Sequence, residues 1–183
     1  MDILVGKSKL IKVGSMVLVA VFIIICYQLD VGAAKGNSKM LSTYFTYSGK
    51  FRVEVEVLDI KETSSIEDCN GIYFCQVVKQ APVYGGIDLA IAIIIILIEL
   101  LEKPVLKDKI QPDLLKNIIF ISLLIGFGFA LATMLQFWFA AGSDYNLCAG
   151  SQILIVLYNL LFGFSSFVQF KVKSSQGQDT LLS

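Results

Sequence analysis

Two carboxylates bracket the most apolar run of the chain. Asp88 stands just before AIAIIIILI and Glu99 directly follows it. They are eleven residues apart, about three helical turns, so they share one helix face. A carboxylate within a membrane-crossing segment is by default a functional signal, for instance a proton or cation path. The plainer reading puts Asp88 near one end of the run and Glu99 near the other, where both reach water. A channel or carrier more often carries a polar stripe through several helices. The other apolar runs offer only Ser122, Thr133, Gln136, Asn159, Ser165, Ser166 and Gln169. The chain has no histidine, which removes the commonest general base and metal ligand. Its cysteines are Cys26, Cys69, Cys75 and Cys148, with no CxxC pair, so a zinc or thioredoxin-type reading has no support. No nucleophile–base pair, phosphate loop or metal cluster is evident in the pattern. The expectation is no catalytic, cofactor-binding or metal residue, no cofactor, and no enzyme.

These residues sit in a chain of 183 residues that is 56% hydrophobic, above the 45–50% or so of soluble domains. A chain of this length cannot bury that excess in a water-facing core. Crossing the hydrocarbon takes about 20 mostly apolar residues as a helix. Four runs qualify, residues 13–29, 83–102, 118–141 and 152–170. Lipid offers no partner for backbone N–H and C=O, so each run must be helical. The first is not a convincing cleaved signal, although Gly32, Ala33 and Ala34 keep that alternative open.

Lysine placement sets the orientation. The tail 1–12 carries Lys7, Lys9 and Lys12; the loop 103–117 carries Lys103, Lys107, Lys109 and Lys116; the tail 171–183 begins with Lys171 and Lys173. The loop 142–151 has no basic residue, and the acids of loop 30–82 offset its six. Both termini are therefore expected in the cytoplasm, with loops 30–82 and 142–151 facing the lumen or the outside. Formal net charge is zero, so no attraction to nucleic acid follows.

Loop 30–82 is the only part large enough to fold outside a membrane. Phe51, Val53, Val55 and Val57 alternate with Arg52, Glu54 and Glu56, a strong strand signal. Tyr44-Phe45-Thr46-Tyr47 also reads as strand, and Ser48-Gly49 fits the hairpin turn between them. The segment from Ile72 to Val78 is a candidate third strand. Cys69 and Cys75 enclose a short loop that can close as a disulfide in an oxidising compartment. A pair from either one to Cys148 would instead staple the two outer loops; spacing does not choose between these, and Cys69–Cys75 is the pairing expected, with Cys148 then free or intermolecular. Cys26 reads as an apolar filler. No N-x-S/T acceptor occurs in either outer loop.

Gly126 and Ala130 stand four apart in the third run, and Gly163 with Ser166 is similar in the fourth. Small residues let helices approach closely, within one bundle or across a homo-oligomer face. Phe137-Trp138-Phe139 and Tyr84 read as interfacial anchors. The tail from Ser174 to Gln178 reads as flexible, and Asp179-Thr180-Leu181-Leu182-Ser183 is a weak match to a dileucine or PDZ signal.

The resulting fold class is an all-α membrane protein, a four-helix transmembrane bundle with a small β-sheet in the first extracellular or luminal loop. It resembles the MARVEL-domain family, in particular its synaptogyrin and synaptophysin branch, on three local patterns. Cys75 followed by Tyr84-Gly85-Gly86 leads into the second run. Glu99, Pro104 and Lys107-Asp108-Lys109 look like an acid–proline–basic loop. Phe137-Trp138-Phe139-Ala140-Ala141-Gly142 resembles a Trp-Phe stretch at the end of the third run. The match covers about residues 82–170. The β-patterned first loop departs from it and resembles the claudin superfamily instead, where that loop is a small sheet continuing the bundle. There a Gly-Leu-Trp motif precedes two cysteines; here Gly71-Ile72-Tyr73 precedes only Cys75, and the single tryptophan is Trp138. The first resemblance implies a non-enzymatic scaffold in vesicle trafficking or membrane microdomains, acting through lipids and other membrane proteins. The second implies an adhesion or barrier protein. An accessory subunit of a larger membrane complex is the third expectation.

Overall fold

A computed structural model describes residues 7–34, 42–55, 58–66, 69, 72–102, 110–142 and 144–179. Glu56, Val57, Glu67, Asp68, Gly71, the basic and proline residues of 103–109, and the tail residues 180–183 lie outside the described residues.

Four helices are long and apolar enough to cross a membrane. They are α1 (Ser8–Cys26), α2 (Tyr73–Leu101), α3 (Pro112–Ala141) and α4 (Ala149–Asp179). Each buries one stripe at three- and four-residue spacing, as a 3.6-residue period requires. In α1 the stripe is Lys12, Ser15, Met16, Val19, Ile23 and Cys26. In α3 it is Leu115, Ile119, Leu123, Gly126, Ala130, Thr133 and Phe137. α1 packs on α2 and α4, and α3 packs on the same two. The outer faces carry exposed Ile24, Ile93, Leu97, Ile121, Ile125, Leu160 and Phe164. Such continuous apolar surface suits a nonpolar surrounding and not water. All four helices begin before the apolar runs they contain. The added turns at the start of α2 fall on the segment expected to be a third strand. Ile72 to Val78 is not a strand: Ile72 precedes the helix and Tyr73 begins it. The physical reason is the stripe Phe74, Val78, Ala81, Gly85, Asp88, Ala92, Ile95 and Glu99, which carries the helical period through Pro82 without a break.

The sheet stands at one end of the bundle, opposite the end that holds the start of α1 and the far part of α4. It has five antiparallel strands in the order β4-β3-β2-β1-β5, formed by β1 (Asp30–Ala34), β2 (Ser42–Thr46), β3 (Lys50–Val55), β4 (Ile60–Ser65) and β5 (Tyr145–Leu147). The expected hairpin is β2–β3, with Tyr44 opposite Arg52 and Phe45 opposite Phe51. Its turn needs a left-handed residue, and Gly49 supplies φ +75°. β1, β4 and β5 are additions to the expected sheet. β5 comes from the segment between α3 and α4, so the two loops expected to face outward share one ladder through Gly32–Leu147 and Ala33–Asn146.

The outer face of the sheet is held by charge. Arg52 pairs with Asp30 at 2.8 Å and Glu54 at 3.1 Å, and Lys61 reaches Glu54 at 3.5 Å. The Arg52 guanidinium also lies over the Tyr44 ring, 5.1 Å from its centroid. Partial burial pushes the Asp30 carboxyl up from its ordinary range, against the pull of Arg52. Phe45, on the opposite face, meets Phe74 and Tyr145 edge-on, and Phe74 stacks on Tyr145 at 4.4 Å.

Cys69 and Cys75 form a disulfide with Cα atoms 5.5 Å apart, tying the end of the sheet segment to the first turn of α2. Cys148 is a free, half-buried thiol, and burial holds it above the ordinary thiol range. Replacing Cys69 and Cys75 together by serine is expected to lower stability by about 2 kcal/mol, the chain-entropy value for so short a loop. Thermal unfolding of the purified chain in detergent, compared with Cys148→Ser, checks this. The Cys148 variant should stay within about 0.5 kcal/mol of the parent.

Candidate functional site

Two polar centres lie inside the bundle, one near each end. The first forms where the sheet meets the helices. The β2–β3 turn lowers Tyr47 into the bundle, where it is fully buried. The backbone N–H of Tyr47 donates to the Leu29 carbonyl at 3.1 Å. Its ring meets Tyr27 edge-on at 5.5 Å and lies 6.2 Å from Phe137. Its hydroxyl is 3.3 Å from that of Tyr158 on α4. A side chain from the sheet segment therefore touches Tyr27, just past the end of α1, and residues of α3 and α4. It also touches α2 at Gly85, where a Cβ would lie 2.8 Å from the Tyr47 ring. Burial pushes the Tyr47 phenol above its ordinary range, and the bond to Tyr158 pulls the other way. The Tyr27 hydroxyl, alongside, donates to the Pro82 carbonyl.

Asp88 sits one turn below Gly85 and is 0% exposed. Neither carboxyl oxygen has a hydrogen-bond partner among the described residues. The second centre lies at the opposite end. Glu99 is 2% exposed and forms an ion pair with Lys12 of α1, itself 5% exposed. The Lys12 ammonium also donates to Gln169 Oε1 at 2.7 Å, and Gln169 Nε2 donates to the Lys116 carbonyl at 3.1 Å. One polar knot thus joins all four helices.

The two carboxylates share the interior face, as their spacing requires. The expectation that both reach water is corrected, because that face points into the bundle at both depths. Lys12, read as a tail lysine, lies within α1 and is buried as a counter-charge. Between Asp88 and Glu99 the stripe holds Ala92 and Ile95, both fully buried, so their shared face is apolar between the two centres. The Thr133 and Ser166 hydroxyls donate to the carbonyls of Phe129 and Phe162, one turn back in their own helices. The arrangement fixes helices against one another. Among the described residues no three Cys, Asp or Glu side chains gather to hold a metal ion.

The small residues serve close packing within the chain. A Cβ on Gly126 would lie 2.5 Å from the Phe162 ring of α4, and one on Gly163 would lie 3.2 Å from Phe127. Ala130 is fully buried. Gly126→Ala is expected to destabilise by about 1–3 kcal/mol through overpacking. Gly128→Ala, with open space around its Cβ position, should be neutral or slightly stabilising in the same detergent melt.

No protein-family model matches this chain, and no curated protein matches it. Sequence reasoning missed Lys12, Gln169, Tyr27, Tyr47 and Tyr158. A lysine at the depth of Glu99 on a neighbouring run was a usable signal for the first. The tyrosines gave none.

Proposed function

We propose that the chain is a four-span membrane protein without enzymatic activity, with both termini in the cytoplasm and the sheet outside. The sheet acts as a protein-contact module in the manner of the claudin superfamily, at cell contacts or along a barrier. The observation that carries this reading is the single five-stranded sheet drawn from the two segments expected to face outward, seated on the bundle by Tyr47. A sheet that continues the bundle is what the claudin resemblance implies. Seating of this kind suits a contact surface, because ordering costs are then met before the partner arrives. The MARVEL-type scaffold reading places the work in lateral contacts of the helices with lipids and other membrane proteins. Its support is the exposed apolar helix faces, which lipid alone also accounts for.

The test is localisation of the tagged full chain in cells that express it beside cells that do not. The adhesion reading expects enrichment at borders between two expressing cells. Retention in intracellular vesicles favours the scaffold. Recovery in one large assembly of fixed composition after gentle detergent extraction favours an accessory subunit.

A further inference from the structure

We propose that Asp88 is a proton-binding site, and that the proton it holds locks the sheet onto the bundle. Its setting differs from that of the other buried carboxylate. Glu99 has the Lys12 ammonium as its counter-charge. Asp88 is 0% exposed, and neither of its carboxyl oxygens has a hydrogen-bond partner among the described residues. Lys12 stands at the level of Glu99, eleven residues further along α2. That is about 16 Å at the helical rise, too far to compensate Asp88.

The groups around Asp88 do not replace that charge. The phenols of Tyr27, just past α1, of Tyr47 in the sheet segment and of Tyr158 on α4 interact with it electrostatically. The Cys26 thiol at the end of α1 interacts in turn with Tyr47 and Tyr158. The buried stripe of α3 from Gly126 to Phe137 holds no titratable side chain. Phenols and thiols are neutral or negative, so no cation among the described residues faces the carboxyl. The Tyr27 hydroxyl is committed to the Pro82 carbonyl, and those of Tyr47 and Tyr158 meet each other. A carboxylate buried without counter-charge or donor is strongly disfavoured. A bound proton removes the charge.

Tyr47 closes this level of the bundle. Its ring lies against Gly85, one turn from Asp88 on the same stripe of α2. It reaches there only while the β2–β3 turn is lowered between the helices. Lifting the turn admits water to the carboxyl, which then ionises without penalty. The seated form therefore holds one proton more than the unseated form. Seating strengthens as pH falls and weakens as pH rises. An acidic compartment fixes the sheet in place and a neutral one loosens it, whatever the sheet contacts.

The test uses the purified full chain in mixed micelles across a pH series. Protease cleavage at the β2–β3 turn reads the unseated fraction. The parent is compared with Asp88→Asn and Asp88→Ala, both neutral at this position at every pH. Taking the ratio of parent to variant at each pH cancels the protease's own pH dependence and the titration of Asp30, which all three share. The ratio should rise with pH by up to about tenfold per unit, the signature of one proton. A ratio that is flat or falls with pH for both variants overturns the proposal. Infrared spectra supply a readout that needs no unseating. The seated parent should show the stretch of a protonated carboxyl that is missing from both variants. Parent and variant spectra without that difference overturn the proposal as well.

Discussion

Replacing Tyr47 by alanine is expected to destabilise the fold by about 3–5 kcal/mol, the range for removing a large buried aromatic. The side chain is fully buried and stands among Tyr27, Phe137, Tyr158 and the open face of Gly85. Its loss leaves a cavity where the sheet meets the bundle, and the Tyr158 hydroxyl loses its partner there. Two substitutions separate these effects. Tyr47→Phe keeps the volume and removes only the hydroxyl contact, so about 1 kcal/mol is expected. Gly85→Val drives a side chain into the space of the ring and should approach the alanine loss through overpacking. The measurement is unfolding in mixed micelles, with proteolysis of the β2–β3 turn followed in parallel. Tyr47→Ala should expose the turn to protease while the helices stay protected. If Tyr47→Ala melts with the parent and the turn stays resistant, the sheet is seated by something other than this residue.

The second large effect is expected at the opposite end. Removing one member of a buried ion pair typically destabilises by about 3–5 kcal/mol, because the other charge is left without compensation. Lys12→Met strips Glu99 of its counter-charge and leaves Gln169 Oε1 without its donor. Glu99→Leu strands the Lys12 ammonium, with Gln169 as its remaining partner. The double variant Lys12→Met with Glu99→Leu should recover most of the loss, since replacing a buried pair by apolar residues of similar volume is often neutral or better. A double-mutant cycle in the same micelles reads the coupling directly. Single losses that simply add in the double variant would mean the two side chains act independently, and the polar knot would then have no role in fixing the helices.

The four helices were legible because length and apolarity alone decide them. The β2–β3 hairpin was legible because Phe51, Val53 and Val55 alternate with charges and Gly49 marks the turn. β4 was not, because an edge strand exposed on nearly its whole length has no apolar period; only Ile60 among its residues is large and apolar. β5 is three residues long, too short to carry a pattern. The start of α2 misled because Ile72, Tyr73, Phe74, Val77 and Val78 are strand-favouring by type, while their burial follows the helical period of a longer element. The two carboxylates were found as residues, but their surroundings were not. Which side chain meets Glu99 depends on how α1 lies against α2, and Tyr47 enters the bundle from a distant turn. Neither contact leaves a local mark.

The proposed function requires the sheet and the chain ends to lie on opposite sides of a membrane. Single cysteines at Leu58, exposed beside the β3–β4 turn, and at Ser174, exposed on α4, test it in a Cys26→Ser, Cys148→Ser background. Sealed membranes are treated with an impermeant maleimide before and after the seal is broken. One of the two positions is expected to be labelled in sealed membranes and the other only after opening, with Lys7→Cys following Ser174→Cys. Labelling of Leu58→Cys and Ser174→Cys from the same side of an intact seal would contradict it.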